Sequence, residues 1–417
     1  MLDVNLIREN PEKVKKGIEK KGVDPKLVDK FLRLDGNWRD KTRLLGELQA
    51  EQNKISKELS SHRNDHLISK AQVLKKRAAE IKAERDELEE KRDEVLGQLP
   101  NLPFEDVPVG KDESGNKVLR EVGEKPDFGF KPKDYLEIAE SLGLVDMKSA
   151  AVLSGSRFGY LLREAVLLEF GLINMALGEI LKHDFVPVLP PVMVKPEIMR
   201  KMGKGKFLEE KDAFYIEEDD LYLIGSAEHA IGPLHMDYVF EEKELPRRYV
   251  GFSTSFRRES GSYGKDTRGI LRVHQFDKLE MYSFCRPDKS EEEHKFLLSL
   301  EEKLMQKLEL PYRVVELCTG DMTWGDARQY DIEVWFPSEN KYRETHSCSN
   351  TTDFQSRGIN AKYKTKEGGK EFVHTLNATA FSQRPIIAIL ENCQTEKGTV
   401  KIPKALQKYV GKKEIKR

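Results

Sequence analysis

At 417 residues, with 71 basic against 72 acidic side chains and a formal net charge of −1, the chain exceeds one ordinary domain and carries no overall charge that would mark a polyanion partner. Charged residues make up 34% and apolar ones 38%, which fits a long solvated helical part beside a packed core and excludes a wholly disordered chain. Cys285, Cys318, Cys348 and Cys393 show no CxxC or regular spacing, no signal-peptide pattern opens the chain, and no run reaches the roughly 20 apolar residues of a membrane span, so a cytoplasmic protein with no membrane contact is expected.

Two heptad stripes come first. Leu34, Trp38, Lys41, Leu45, Leu48, Gln52, Ile55 and Leu59 recur at alternating steps of four and three, and so do Leu67, Ala71, Leu74, Ala78, Ile81, Arg85, Leu88, Arg92 and Val95. The polar segment Ser60 to Asp65 between them has the length of a helix–helix turn, which predicts an antiparallel two-helix coiled coil over about 34–99. Lys41 and Arg85 fall in nearly the same layer, which should be wet. Near the tip, Lys54, Lys57, Arg63, Lys70, Lys75, Lys76 and Arg77 outnumber Glu58 and Asp65 by five, whereas residues 80–94 hold eight acids and four bases. A basic end on an acidic stem suits contact with a phosphate backbone, and charge alone leaves a solvated face equally open.

The arm ends at Pro100-Asn-Leu-Pro103, and Val107 to Gly115 reads as a linker, so an N-terminal domain of 1–110 and a second of 111–417 are expected. A helix with a broad apolar face is predicted from about Phe158 to Leu181. Phe185 to Val194 follows as a strand broken by prolines, hence at a sheet edge or interface. Apolar runs at 221–224, 248–252, 279–285, 312–317 and 330–335 lie close in sequence, which predicts an α+β fold: an antiparallel sheet flanked by helices.

The densest chemical signal is Phe256-Arg257-Arg258-Glu259 at a strand end, followed by a Gly/Ser-rich loop and by His274-Gln-Phe276-Asp-Lys-Leu-Glu280. A guanidinium fork beside a carboxylate suits a phosphate and a purine amine, because one donates two parallel hydrogen bonds and the other accepts from an amine. The segment from Arg247 to Cys285 resembles motif 2 of the class II aminoacyl-tRNA synthetases, specifically of the seryl-tRNA synthetase family. The likeness extends to the opening Met1 to Pro11, to the junction Leu99–Pro103, and to the stretch ending at Pro190-Pro191, which resembles the dimer-forming motif 1. It also takes in Ser347–Arg357 and Leu376–Asn392, which resemble the remaining active-site strands, the latter being motif 3.

The resemblance implies a ligase that joins serine to the terminal ribose of tRNA(Ser), and of tRNA(Sec), by way of ATP and a seryl-adenylate, and that works as a homodimer. By the family pattern Arg257 grips the α-phosphate and the serine carboxylate. Arg384 and Arg272 hold the leaving phosphates, Glu259 accepts from the adenine amine, Phe276 stacks on the ring, and Glu344 with Ser347 holds Mg²⁺. Glu280 faces the serine ammonium, Glu228 is a further serine-binding group, and Ser226 and Thr379, in two strands and with Asn377 nearby, take the hydroxyl. Arg257, Arg384 and Glu344 are the implied catalytic groups.

The chain departs from the pattern at several points. Ser226 stands for a threonine, His229 for an apolar residue, and His346, beside the implied metal site, for a small one; Ala378 and Ala380 replace glycines that let the backbone approach ATP. His229, His346, Cys318 and Cys348 lack zinc-ligand spacing. Two other readings stay open: a paralogue loading an amino acid onto a carrier protein, disfavoured by the basic arm, and a non-catalytic RNA-binding homologue, disfavoured by the retained charged groups.

Overall fold

The computed structural model describes residues 1–61, 64–260, 266 and 268–417, with side chains to Ser60 in the first stretch. It divides into two compact units, Leu2–Pro100 and Asn101–Arg417. The division stands nearer the arm than residue 110 because the intervening segment is tied into the second unit. Asn101 Nδ2 donates to the carbonyls of Gly325 (3.0 Å) and Thr351 (2.8 Å), and Val107 packs with Val315, Leu317 and Met322.

In the first unit, α1 (Val4–Glu9) and α2 (Pro11–Lys20) place Ile7, Val14 and Ile18 in a small core with Val28 and Phe31. Two long helices follow, α3 (Lys26–Ser61) and α4 (Asp65–Gly97). The heptad positions are the covered ones: Ile55, Ile81 and Val95 are buried, and the other seam residues are half-buried among mostly exposed neighbours. The polar layer also forms. Lys41 pairs with Glu84 across the seam, and the neighbouring Arg85 Nε donates to Asp86 at 2.9 Å. Arg92 covers the next polar position by lying 4.2 Å over the Trp38 ring. α4 begins where Asn64 Oδ1 accepts from the backbone N–H groups of His66 (3.0 Å) and Leu67 (3.3 Å), a side-chain cap for otherwise unpaired donors.

Among the described residues, eight strands form the central sheet of the second unit. They are β1 (Lys117–Val122), β2 (Phe185–Val188), β3 (Arg247–Phe256), β4 (Gln275–Cys285), β5 (Tyr312–Glu316), β6 (Arg328–Phe336), β7 (Lys341–Asn350) and β8 (His374–Phe381). Their order is β1-β5-β6-β7-β8-β4-β3-β2. The pairs are antiparallel except β2 with β3, which is parallel, so the sheet is mixed at one edge. That edge carries Pro187, where a missing N–H costs no ladder bond.

One face of the sheet is covered by α5 (Glu164–Ile180), α6 (Ser290–Leu308) and α7 (Arg384–Asn392). Leu168 and Leu172 of α5, Leu304 and Met305 of α6, and Ile386 and Ile389 of α7 pack on Met281, Ile332, Leu376 and Ala378. Each such side chain contributes about 1.5–3 kcal/mol of burial, so this face holds the sheet together and leaves the other free for polar work. The expected helix start at Phe158 is corrected to Glu164: Tyr160–Leu161 pair as a short strand with Val145–Asp146, and Arg163 adopts φ 52°. The apolar runs became strands; β1, β7 and β8 lie outside those runs, the first two because their exposed or polar residues give no apolar alternation.

Candidate active site

Phe276, Lys278 and Glu280 alternate along β4 and therefore share one face, while Leu279 and Met281 point into the core. On β3, Gly251 lies opposite Glu280. A Cβ at Gly251 would stand 2.4 Å from Ile231 Cδ1, so glycine lets the short helix Glu228–Ile231 lie on this strand without displacing that side chain. That helix brings Ser226 and Glu228 over Glu280. Ser226 is thus in a turn and not in the strand expected of it: Gly225 just before it accepts from Arg257 Nε (3.1 Å) and Nη2 (3.0 Å) and donates its N–H to His229 Nδ1 (3.3 Å).

Two β-bulges set the remaining side chains. Glu344 lies opposite Glu333 whereas His346 lies opposite Ile332, so Thr345 is an extra residue. The bulge turns Glu344 and Ser347, three apart, onto one face, where strict alternation would separate them. On β8, Phe381 lies opposite Leu279 and Thr379 opposite Glu280, so Ala380 is extra, and Thr379 and Asn377 face the site.

Several of the site's charges are paired. Arg384 lies 2.9 Å from the Glu344 carboxylate, and burial, which pushes that carboxyl up, is outweighed by Arg384, Arg257 and Lys278, which hold it below its ordinary range. Arg272 Nη1 donates to Glu259 at 2.8 Å, and Arg343 ties Asp266 to β7 at 2.9 Å. The Arg257 guanidinium stands 5.4 Å over the Phe276 ring. Burial pushes Asp331 well up, reinforced by the charge of Glu344.

The groups expected to bind serine form a second, deeper cluster. Burial pushes Glu228 up, but Lys204 and His229 prevail and hold it well below its usual range; Gln355 Nε2 approaches it at 3.5 Å. Glu280 is 1% exposed, and burial raises its pKa against the pull of Lys278. Lys278 Nζ stands 2.6 Å from Glu280 Oε2 and donates to Ser226 Oγ at 3.4 Å.

Two adjoining cavities, about 510 and 80 Å³, share Arg257, Arg272, Lys278, Glu344, Ser347 and Arg384. The smaller adds Glu259, Phe276 and Thr379, and the larger adds Glu228 and Asn377. Ser226 and Glu280 line neither: they lie beneath the floor, behind Lys278. Lys278 is the site residue that sequence reasoning passed over. Its signal was present, since it sits two residues before Glu280 and so shares its face.

The departures resolve physically. His229 is buried, its ring 5.8 Å from that of Phe207, and burial lowers its pKa to about 4, so it is neutral. His346 does not border the Glu344–Ser347 pair on the open face: it is buried opposite Ile332, and burial lowers it to about 3. Ala378 and Ala380, which stand where the family carries glycines, have their methyls in the core. Cys318 donates from Sγ to the Asp112 carbonyl at 3.1 Å, and Cys285 and Cys348 are buried free thiols.

In the arm, Lys54, Lys75 and Lys76 are exposed. Lys70 pairs with Glu51 at 2.8 Å and Arg77 with Glu80 at 3.3 Å, acids just outside the basic window. Lys57 is exposed, and Arg63 lies outside the described residues.

Family models match in two stretches: a seryl-tRNA synthetase N-terminal domain over residues 1–103 and a tRNA synthetase class II core domain (G, H, P, S and T) over 212–393. The serine–tRNA ligase of Pyrococcus horikoshii is 43% identical, covering 100% of this chain and 97% of that protein. That of Thermobifida fusca is 41% identical over 99% and 98%. The crystal structure of seryl-tRNA synthetase from Pyrococcus horikoshii complexed with ATP superposes with a TM-score of 0.91 at 42% identity, over 100% of this chain and 99% of that one. The cytoplasmic serine–tRNA ligase of Naegleria fowleri in complex with AMP gives 0.87 at 35%, with the same coverage.

Proposed function

The chain belongs to the seryl-tRNA synthetase family and is a serine–tRNA ligase, and we propose that the paired cavities are where it activates L-serine with ATP before passing the serine to tRNA(Ser). The carrying observation is the convergence of Arg257, Glu344 and Arg384, from three separate segments, on cavities floored by Lys278 over Glu280.

A serine carboxylate oxygen bonds to the α-phosphorus in line as the bond to the bridging oxygen breaks, and that electron pair leaves with pyrophosphate. Negative charge gathers on the phosphorus oxygens. Arg257, already fixed by two bonds to the Gly225 carbonyl and by the Phe276 ring, stabilises it without reorganising. Arg384 and Arg272 hold the terminal phosphates, Phe276 stacks on adenine, and Glu259 accepts from its amine. In the second step a hydroxyl of the terminal ribose attacks the seryl carbonyl and AMP leaves.

Glu280 and Glu228 receive the serine ammonium, and Ser226, Asn377 and Thr379 the hydroxyl. A site built to pair a hydroxyl rejects alanine, because its polar groups would be left bare. Glu344 and Ser347 fit Mg²⁺: an ionised carboxylate and a hydroxyl share one face beside the phosphate site, and these are oxygens of the kind a hard cation takes together with phosphate and water. Bound there, Mg²⁺ would supply charge neutralisation for the phosphates.

The N-terminal unit, Leu2–Pro100, carries the tRNA contacts at Lys54, Lys57, Arg63, Lys70, Lys75, Lys76 and Arg77, and tRNA(Sec) is served with tRNA(Ser). The enzyme works as a cytoplasmic homodimer. Exposed Leu167 and Phe170 on α5 and Leu189 after β2 support the dimer, and among the described residues no helix is long and apolar enough to cross a membrane. The test of the site is Arg257→Ala, which should lower serine-dependent ATP–pyrophosphate exchange by about a hundredfold or more. Exchange within about tenfold of the unaltered enzyme would remove Arg257 from the chemistry.

A further inference from the structure

The floor of the cavities is closed by a side chain of the same chemical kind as the substrate's own head group. Lys278 carries an ammonium. It is 8% exposed, contacts Glu280 Oε2 at 2.6 Å and reaches Ser226 Oγ at 3.4 Å. These are the two groups to which the serine ammonium and hydroxyl are assigned above. The contact with Glu280 is a buried ion pair that offsets the carboxylate's charge within the serine pocket.

We propose that Lys278 is the resident cation of the empty serine site, that serine enters by displacing it, and that the α-phosphate of bound nucleotide draws it away. The inference rests on the serine-pocket reading above. Position supports it: Phe276, Lys278 and Glu280 follow one another on one face of β4, so the Lys278 Cα lies about 7 Å from both the adenine end and the ammonium end. A flexible four-carbon stem lets one ammonium serve either end. The side chain lines both cavities with Arg257 and Glu344, so an anion placed there competes directly with Glu280 for it. Without nucleotide, serine must expel a bound ammonium into a site already holding Arg257 and Arg384. With an α-phosphate present, the expelled charge has a partner. Serine and nucleotide therefore bind with positive coupling, and Lys278 is a positioning residue that carries it.

The experiment is calorimetric titration of the full-length protein with L-serine, alone and with saturating adenosine, AMP, or an ATP analogue carrying a methylene between the α- and β-phosphorus. AMP and the analogue should each tighten serine about tenfold, and adenosine, which lacks the phosphate, should leave the affinity within about twofold. Lys278→Met should abolish the difference between AMP and adenosine. Equal tightening by adenosine and AMP, or coupling retained in Lys278→Met, would overturn the proposal. The adenosine–AMP contrast on the unaltered protein decides even where the variant fails to fold. Glu280→Gln separates the two claims: if it binds serine as tightly as the unaltered protein, the serine pocket is misplaced. If it binds weakly while AMP and adenosine act alike, the pocket stands and the Lys278 exchange falls.

Discussion

Arg384 holds Glu344 by both its main chain and its side chain: Nη1 donates to the Glu344 carbonyl at 3.1 Å and lies 2.9 Å from its carboxylate. The contact joins the first residue of α7 to the strand residue just before the Thr345 bulge. Because the same guanidinium is assigned to the terminal phosphates, it must trade carboxylate for phosphate when ATP enters.

Arg384→Lys should therefore be nearly as damaging as Arg384→Ala. A lysine keeps the charge but loses the planar fork that meets a carbonyl and an anion together. Both should lower pyrophosphate exchange about a hundredfold, with the ATP requirement raised more than that for serine. Rescue of exchange to within about fivefold by lysine would show that charge alone suffices there.

Glu280→Gln should raise the KM for serine by far more than the KM for ATP. The change removes the ammonium's counter-charge and strands Lys278, so the thermal midpoint should drop as well; losing one partner of a buried pair costs about 3–5 kcal/mol. Equal losses for both substrates in steady-state exchange would make Glu280 structural.

Glu169 of α5 is buried against Asp277, accepts from Gln383 Nε2 at 3.2 Å, and has its pKa raised to about 8 by burial and by that neighbouring carboxyl. The folded state thus holds a proton that the unfolded chain releases near its ordinary 4.5. The resulting stability is full below the unfolded value and is lost as pH rises toward 8, by at most about 1.4 kcal/mol per pH unit. Glu169→Gln should flatten this decline when urea midpoints at about pH 4.5 and 8, the two edges of that window, are compared. An unchanged slope in the variant would mean the proton sits elsewhere.

Phe170 is 57% exposed on α5, with Leu167 one turn away at 42%. Phe170→Asp should put an unpaired charge into the expected dimer surface and yield a monomer by sedimentation at micromolar concentration. A dimer of unchanged affinity would place the interface on another face.

Deleting Gly46–Ile81 and closing the helical hairpin with a short turn should leave pyrophosphate exchange nearly intact and destroy tRNA charging. Within the basic cluster, Lys75 and Lys76 should matter more than Arg77, which Glu80 already partly neutralises. Each lost phosphate contact should reduce the slope of log affinity against log salt by about one. Normal charging by the deletion would leave the arm a spacer.

Some of this was determined by the sequence alone, because it depends on local period. A heptad stripe stays a stripe wherever the helix goes, so the paired helices and their wet Lys41 layer were legible, as was the shared face of Phe276 and Glu280 on β4. The motif residues were legible through their resemblance to a family. What tertiary structure decided is which way the polar residues face once neighbouring strands impose a register. The bulges at Thr345 and Ala380 exist only because β6 and β4 run alongside; they put Glu344 beside Ser347 and turn His346 and the alanine methyls into the core. Gly251 shows its purpose only once Ile231 lies on it, and Lys278 reads as a solvated charge until Glu280 and Ser226 close around it. Alternation is a property of one strand, whereas a bulge, a close approach or a buried ion pair is a property of two, and a single chain of residues does not state which two will meet.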